Sequence, residues 1–206
     1  MRRKELRVFL NIPYDRRFAD LYLAYIAGTA AFGLIPRATV EIPGGQRRLD
    51  RIFELIRSCR YSVHDLSRVQ LDRKYPPTPR FNMPFELGLT VAWQRTSRAK
   101  KDHLWFVFEA INRRLAKSLS DLDGTDPYIH GGQPHGVFRE LRHAFVREHS
   151  QPTVPQMRLI HQDLKAAVPG IKKETAEESL FKASVFAALV LVARDSAQRH
   201  IPGVSS

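Results

Sequence analysis

The chain has 206 residues, 43% of them hydrophobic and 26% charged, a composition that excludes collagen-like, low-complexity and disordered proteins. Its 33 Lys and Arg residues outnumber its 21 Asp and Glu residues, which gives a formal net charge of +12. The single cysteine, Cys59, excludes an internal disulfide and a multi-cysteine zinc site, and it suits a reducing compartment.

Short apolar runs alternate with amphipathic stretches over the first three quarters of the chain. The apolar runs predict strands buried on both faces of a parallel sheet, at residues 7–13, 35–42, 61–67, 103–108 and 126–130. The stretches between and after them predict helices at residues 18–32, 46–60, 83–93, 111–119 and 137–147. Asp15 is placed to cap the first helix and Gly33 to end it. The alternation predicts an α/β fold with a doubly wound, mostly parallel sheet of four or five strands.

Two further helices are predicted near the C-terminus, at residues 156–167 and 176–199, separated by Pro169-Gly170. We therefore divide the chain into a domain at residues 1–150 and a C-terminal helical appendage at 151–206. The last helix is apolar nearly all round, a pattern typical of a buried helix. We expect it to dock on the core and to contribute to a homodimer interface.

Neither a secretion signal nor a membrane span is visible in the sequence. The basic start of the chain leads into an apolar run that Asn11 and Pro13 interrupt at once. The longest apolar run, at residues 185–193, is too short to cross a bilayer. We expect a cytoplasmic protein that does not enter a membrane.

Polar side chains gather where the predicted strands end. Ligands of doubly wound sheets bind beyond the carboxyl ends of the strands. The polar residues at these ends are therefore the candidates for a binding site: Asn11, Tyr14, Asp15, Arg16, Arg17, His64, Asp65, Ser67, Arg80, Asn82, Glu86, Glu109, Asp121, Asp123, Asp126 and His130. We expect four of them to converge on one cleft at this edge: Asn11, Asp65, Asn82 and Glu86.

Glu86 stands about one turn into the helix that follows the third predicted strand. Apolar neighbours on both sides, Phe85 and Leu87, are placed to shield it from water. A shielded carboxylate can stabilise a cationic transition state or attack an electrophilic carbon. A glutamate in a first turn can equally serve the helix by complementing its dipole. The spacing alone leaves both interpretations open.

Three segments carry a resemblance to a known superfamily: Val-Phe-Leu-Asn-Ile-Pro-Tyr-Asp at 8–15, Cys-Arg-Tyr-Ser-Val-His-Asp-Leu-Ser at 59–67 and Asn-Met-Pro-Phe-Glu-Leu-Gly at 82–88. Over about residues 7–110 the chain resembles the nucleoside 2-deoxyribosyltransferase-like and TIR-like proteins. The resemblance implies a flavodoxin-like, nucleotide-binding domain. It also implies cleavage of the N-glycosidic bond of a nucleoside or of NAD, with Glu86 in the place of the family's glutamate.

The resemblance also implies roles for the other polar residues at the strand ends. Asp65 and Asn82 would hold ribose hydroxyls, and an aromatic side chain among Tyr14, Phe81 and Phe85 would stack on a base. The arginines among the candidates would neutralise a pyrophosphate. Because a free nucleoside would leave those arginines without a role, NAD is the favoured substrate, and no separate cofactor is expected. The substrate-binding set is Asn11, Tyr14, Asp15, Arg16, Asp65, Ser67, Arg80 and Asn82.

Other classes of function remain open or are disfavoured. A nucleotide sensor of a signalling or defence system would use the same pocket without turnover. A nucleic-acid partner is not expected, because the basic residues of 37–101 lie on the polar face of a helix and no nucleic-acid-binding motif is present. No metal site is expected, since Asp121, Asp123 and Asp126 are spaced too tightly for a calcium loop. The segment 120–132 has no assigned role.

Overall fold

Five parallel strands form the central sheet of the protein. A computed structural model describes residues 6–42, 47–69, 71–72, 75, 77–96, 103–122, 124–146 and 151–204. The strands are β1 (Arg7–Asn11), β2 (Ile35–Ala38), β3 (Tyr61–Asp65), β4 (Leu104–Glu109) and β5 (Tyr128–Ile129). Their spatial order is β2-β1-β3-β4-β5, and every neighbouring pair is parallel. This is the order of a flavodoxin-like sheet, so the predicted fold class is confirmed.

Helices cover both faces of the sheet. They are α1 (Ala19–Ala31), α2 (Arg48–Ser58), α3 (Asn82–Thr96), α4 (Arg114–Ser118), α5 (Pro134–Ala144), α6 (Val154–Glu174) and α7 (Ala183–His200). Short 3-10 turns lie at Arg16–Phe18, Thr39–Glu41 and Ser120–Leu122, and a small antiparallel pair joins Leu71–Asp72 to Thr78–Pro79. None of the helices among the described residues is long and apolar enough to cross a membrane.

The alternation of β1 shows how the layers form. Val8 and Leu10 belong to the core shared with α1 and α5, whereas Phe9 packs with α2 on the opposite face. Successive strand residues point to opposite faces, and a strand covered on both faces must be apolar throughout. Gly28 of α1 allows α5 to approach closely, because a Cβ there would lie 2.4 Å from Leu141 Cδ1.

Both ends of the first helical segment follow the predicted signals. Asp15 caps the 3-10 turn by accepting a hydrogen bond from the Arg17 backbone N–H at 3.0 Å. Gly33 has a φ of +73°, which a glycine adopts without strain. The Leu34 N–H then returns to the Thr29 carbonyl at 3.2 Å and closes the helix end.

Several predicted boundaries differ from the structure. The strand predicted at 35–42 ends at Ala38, because a 3-10 turn takes over at Thr39–Glu41. The helix predicted at 111–119 is only the short α4, and the helix predicted at 137–147 begins three residues earlier, at Pro134. Proline is tolerated in that first turn because its missing N–H has no partner there. Pro43, Gly44 and Gly45, a sequence typical of a turn, lie outside the described residues.

The break predicted at Pro169-Gly170 is wrong, because α6 runs through it from Val154 to Glu174. Pro169 and Gly170 are both exposed. Water can therefore bond the carbonyl that the proline leaves without a donor. Ile171, one residue later, is buried in the core, and this packing favours continuation of the helix. The chain turns instead at Ala176, which has a φ of +53°, and α7 begins only at Ala183.

The two C-terminal helices complete the core on the α1 side of the sheet. Met157 and Leu164 of α6 and Phe186 and Leu189 of α7 are buried in one cluster with residues of β1 and α1. The prediction that the last helix docks on the core is confirmed for one face of α7. Leu191, on another face of α7, is 61% exposed.

Candidate functional site

The topology creates a switch point between β1 and β3. β2 lies next to β1 on one side, and β3, β4 and β5 follow in order on the other side of β1. Crevices for ligands form beyond the carboxyl ends of the strands at such points. Asn11 is the last residue of β1, and His64 is the second-last residue of β3. The two are paired in the register of these strands.

Asn11 ties this edge to the start of α3. Its Nδ2 lies 2.9 Å from His64 Nδ1 and donates to the Met83 carbonyl, also at 2.9 Å. His64 is fully buried, and burial together with the charge of His103 lowers the pKa of His64 to about 3. The ring is therefore neutral near pH 7, and Nδ1 accepts the Asn11 hydrogen bond. His64 Nε2 is buried and has no hydrogen-bond partner among the described residues.

Glu86 lies one turn beyond this tie, on α3. Its side chain is only 4% exposed, and Oε2 has no hydrogen-bond partner in the part of the chain that the structure describes. Burial raises the pKa of the Glu86 carboxyl to about 7, while the positive charge of Arg48 opposes the rise. A buried carboxylate without a partner is costly, so this group does not stabilise the fold as a paired residue would. Of the two neighbours expected to shield Glu86, Leu87 is buried, whereas Phe85 is exposed.

Tyr14 lies beyond the end of β1 and packs against the core on the α1 side. The Thr39 hydroxyl donates to the Tyr14 oxygen at 3.1 Å, and the Tyr14 ring packs edge-on against Tyr22 at 6.0 Å. Burial raises the pKa of Tyr14; the Thr39 hydrogen bond opposes this, and the negative charge of Glu86 adds to it. Tyr14 is therefore a neutral phenol near pH 7.

Asp15 is held by two arginines from distant parts of the chain. Arg68 Nε lies 3.3 Å and Arg80 Nη1 lies 3.0 Å from Asp15 Oδ2. Arg16, next along the chain, is exposed. These residues place positive charge beside Tyr14, at the entrance to α1.

Asp65 lies on the opposite face of the sheet from Glu86. Tyr25 of α1 donates its hydroxyl to Asp65 Oδ2 at 2.7 Å, and the Ser67 N–H donates to Oδ1 at 2.8 Å. The Ser67 hydroxyl also bonds Oδ1. His130 Nε2 lies 3.1 Å from Oδ2, outside hydrogen-bonding alignment. Both oxygens of Asp65 are thus engaged within the protein.

A second carboxylate at the strand ends is engaged in the same way. Glu109 ends β4 and is 1% exposed. Arg114 Nε donates to Glu109 Oε2 at 2.7 Å, and Arg114 Nη2 reaches both Glu109 Oε1 and, at 2.8 Å, the Ser67 carbonyl. The ends of β3 and β4 are therefore joined by ion pairs and hydrogen bonds that leave these carboxylates with full sets of partners.

The expected convergence of four residues on one cleft is only partly met. Asn11 and Glu86 share a face, and Asn82 is exposed at the first residue of α3. Asp65 and its partner Ser67 belong to the other face, because the side chains of consecutive strand residues alternate and His64 takes the Asn11 side. Of the remaining candidates, Tyr14 packs on the α1 side, Asp15 pairs with Arg80, and Arg16 is exposed.

Sequence reasoning missed Arg68, Arg48 and Tyr25 as parts of this edge. Arg68 directly follows the third strand, so its position was a signal that could have been used. Tyr25 carries no such signal, because it lies within an apolar helix. Among the residues described, no group of three or more His, Cys, Asp or Glu side chains is placed to hold a metal ion. Asp123 of the acidic stretch lies outside them.

Comparison of the chain with protein-family models, with curated proteins and with solved structures finds no match.

Proposed function

We propose that this protein cleaves the N-glycosidic bond of NAD or a related nucleotide, with the Glu86 carboxylate stabilising an oxocarbenium-like transition state. The observation that carries the proposal is the buried Oε2 of Glu86, which has no partner among the described residues at the switch point of the sheet. Buried carboxyls with strongly shifted pKa values are frequent at catalytic centres. The resemblance in the 82–88 segment supports the same residue.

The chemistry follows from the charge of the substrate. The bond between the ribose C1′ and the nicotinamide nitrogen breaks, and its electron pair leaves with the nitrogen, which removes the pyridinium charge. Positive charge then develops on C1′ and the ring oxygen. A carboxylate in a site with little water stabilises this charge more strongly than water does. Water adds to C1′ and releases a proton, which gives ADP-ribose and nicotinamide.

The shifted pKa suits this role at neutral pH. With a pKa of about 7, Glu86 is divided between its charged and neutral forms near physiological pH. A cationic pyridinium beside the carboxyl favours the charged form. We therefore expect the rate of nicotinamide release to rise with pH through about 7 at low substrate concentration, where the free enzyme determines the rate.

The direct experiment compares nicotinamide release from NAD by the wild-type protein and by Glu86→Gln. The glutamine keeps the shape of the side chain and removes its charge, so we expect turnover to fall by about 100-fold or more. Glu54→Gln is the matched control, because the Glu54 side chain is 60% exposed on α2. We expect the control to keep wild-type turnover. Equal turnover in folded Glu86→Gln would contradict the proposal.

Binding without release would favour the second function, a nucleotide-sensing module. Its support is that Glu109 and Asp65 are already engaged within the protein, so the edge offers few unengaged acid–base groups besides Glu86. Titration of the protein with NAD by calorimetry, with nicotinamide measured in the same sample, separates the two. Heat of binding with no nicotinamide formed would support the sensor and contradict the hydrolase.

We also propose that the protein is cytoplasmic and forms a homodimer through its C-terminal helices. Cys59 is a free, buried thiol, as suits a reducing compartment. Leu191 on α7 is 61% exposed and Leu159 on α6 is 43% exposed, and large exposed apolar side chains favour burial against a partner. Light scattering should give a dimeric mass that Leu191→Glu reduces to the monomer. A monomeric wild-type protein at tens of micromolar concentration would contradict the dimer.

A further inference from the structure

Exposed arginines from three separate segments meet at the carboxyl edge of the sheet. They lie after β1, at the start of α2 and after β4, and we call them the arginine surface: Arg16, Arg17, Arg47, Arg48 and Arg113. Each crossover helix carries the chain from the end of one parallel strand to the start of the next, so the helices begin at this edge. We propose that the arginine surface binds single-stranded nucleic acid.

The turn after β1 adjoins the starts of α2 and α3. Asp15 of that turn contacts Arg80, two residues before α3, at 3.0 Å. The positive charge of Arg48, at the start of α2, opposes the rise in the pKa of Tyr14 beyond β1 and of Glu86 on α3. Charges act on a pKa in this way from nearby positions. The first two segments of the arginine surface therefore lie together at the mouth of the candidate site.

The loop after β4 continues the arginine surface across the sheet. Arg114 Nη2 donates to the Ser67 carbonyl at 2.8 Å, and Ser67 lies two residues beyond β3. Arg113, the preceding residue, is exposed. The strands β1, β3 and β4 are neighbours in the sheet, so the arginine surface extends over the ends of three adjacent strands.

The charge of the arginine surface is largely unbalanced. None of its arginines forms an ion pair with another residue that the structure describes. Asp50, in the first turn of α2, is exposed and opposes this charge, whereas Asp20 of α1 is engaged by Lys165 at 3.0 Å. The starts of α2 and α3 add the positive ends of two helix dipoles. A polyanion can interact with all of these charges at once.

Two exposed phenyl rings lie next to the arginine surface. Phe81 is 65% exposed and Phe85 is 55% exposed. The Phe85 N–H donates to the Phe81 carbonyl at 2.9 Å, so the two residues are one helical turn apart at the start of α3. Exposed aromatic rings beside a cationic surface stack on unpaired bases.

The residue types favour a nucleic acid over other polyanions. A guanidinium binds phosphate through two parallel hydrogen bonds and also stacks on flat rings, which a lysine does less well. An acidic peptide or an anionic lipid headgroup offers the negative charge without a base to stack on. In a duplex the neighbouring base pairs cover the faces of each base, so the phenyl rings favour a single strand.

The structure explains why the sequence alone did not predict this partner. In the sequence, the basic residues of 37–101 are read as the polar face of one helix. The fold adds Arg16, Arg17 and Arg113 from outside that segment, and no linear motif marks their approach. The arginine surface is a product of the topology.

The test measures binding of the full chain to a fluorescent oligothymidylate of about 20 nucleotides, longer than the usual site of one domain. We expect the logarithm of the affinity to fall with the logarithm of the salt concentration with a slope of about −3, since about four or five phosphates are contacted. A strand of equal length without bases should bind at least about tenfold more weakly. Equal binding of the two strands, or no binding of either, would overturn the proposal.

Two further probes separate the other polyanions. A duplex of the same length should bind more weakly than the single strand, because its base faces are covered. Tighter binding of the duplex would overturn the assignment to a single strand. Vesicles of phosphatidylserine and phosphatidylcholine that bind the protein in place of the oligonucleotide would assign the arginine surface to a membrane and overturn the proposal.

Substitutions assign the binding to particular residues. Arg47→Gln and Arg113→Gln, from opposite ends of the arginine surface, should each weaken binding about fivefold at about 0.1 M salt and reduce the salt slope by about 0.7. Phe85→Leu removes the ring and keeps an apolar side chain, so it should weaken binding of oligothymidylate and leave the strand without bases unaffected. An equal loss for both strands would contradict the stacking role.

Arg57→Gln is the matched control for charge. Arg57 lies in the last turn of α2, which leads into the start of β3 and therefore lies at the opposite edge of the sheet, over the Trp93 ring. We expect this variant to keep its affinity within about twofold. A loss equal to that of the surface variants would reduce the effect to net charge and overturn the proposal.

The inference goes beyond the proposed function and is separable from it. Glu86→Gln should bind oligothymidylate at least as tightly as the wild type, because the substitution removes no positive charge. Oligonucleotide binding without release of nicotinamide from NAD would support the arginine surface and contradict the hydrolase. Release of nicotinamide by a protein that binds no oligonucleotide would support the hydrolase and overturn the inference.

Discussion

Glu86 and Asp65 are both buried carboxyl groups at the carboxyl edge of the same sheet, yet their surroundings are opposite. Asp65 accepts hydrogen bonds from Tyr25 and from the backbone and hydroxyl of Ser67. Glu86 Oε2 accepts none from the described residues. The two lie on opposite faces of the sheet, on either side of β3.

The difference separates a carboxyl group that stabilises the fold from one that does not. A carboxylate with a full set of donors recovers the cost of its burial and fixes the elements that donate to it. A carboxylate without donors keeps that cost, and the raised pKa of Glu86, about 7, expresses it. Costs of this kind are characteristic of sites whose partner arrives with the substrate. The Asp65 side thus holds the edge together, and the Glu86 side carries the catalytic role that we propose.

The largest expected effect on stability comes from Asp65→Asn. The amide would present N–H groups to Tyr25 or Ser67 where the carboxylate accepted hydrogen bonds, and it would leave a buried donor without an acceptor. We expect a loss of about 4 kcal/mol in the free energy of unfolding, measured by urea denaturation. Asp195→Asn, an exposed position on α7, is the control and should change stability by less than about 0.5 kcal/mol. If Asp65→Asn also changed the free energy of unfolding by less than about 0.5 kcal/mol, the Asp65 side would not stabilise the fold more than an exposed position does.

Glu86→Gln should shift stability in the opposite direction, and only at higher pH. The folded-state pKa is raised from 4.5 to about 7, so the native state binds more protons than the unfolded chain between these values. Wild-type stability therefore falls as pH rises through this window, by about 3 kcal/mol in total. Removing the titrating group should cancel that fall. Urea denaturation of both proteins at pH 4.5 and pH 8 measures the difference. If the free energy of unfolding changes equally with pH in the two proteins, the burial of Glu86 does not disfavour its charged form.

The smallest pair of effects compares the two tyrosines. Tyr25→Phe removes a hydrogen bond of 2.7 Å to a buried carboxylate, and we expect a loss of about 2 kcal/mol. Tyr14→Phe removes only a 3.1 Å bond from Thr39 and a 3.4 Å bond to the Leu10 carbonyl, and we expect less than about 1 kcal/mol. Thermal melting at one pH ranks the two variants, and the reverse order would show that the Tyr14 hydroxyl is bonded more strongly than the Tyr25 hydroxyl.

Much of the fold could be predicted because its signals are local. Continuous apolar runs marked the strands, Asp15 and Gly33 marked the ends of the first helical segment, and the spacing after the third strand drew attention to Glu86. The placement of Asp65 could not be predicted in this way. Both faces of β3 are buried, so the sequence has no alternation of polar and apolar residues to show which face each side chain takes. The pairing of Asp15 with Arg68 and Arg80 depends on contacts between distant segments.

Pro169 shows a different limit of sequence reasoning. Local preference predicted a helix break, but burial of Ile171 and the exposure of the proline favour one continuous helix. Tertiary packing outweighs local propensity when the lost hydrogen bond faces water.

The central claim is that Glu86 is a buried carboxyl whose Oε2 has no hydrogen-bond partner among the described residues. It is tested most directly by NMR titration of the glutamate side-chain carboxyl carbons. We expect one resonance to titrate near pH 7, well above the usual value of about 4.3, and to be missing in Glu86→Gln. The nicotinamide ring of NAD carries a positive charge. Addition of NAD, under conditions in which turnover is slow, should therefore lower the pH at which the Glu86 resonance titrates. A Glu86 resonance that titrates with the exposed glutamates would contradict the claim and, with it, the proposed role in catalysis.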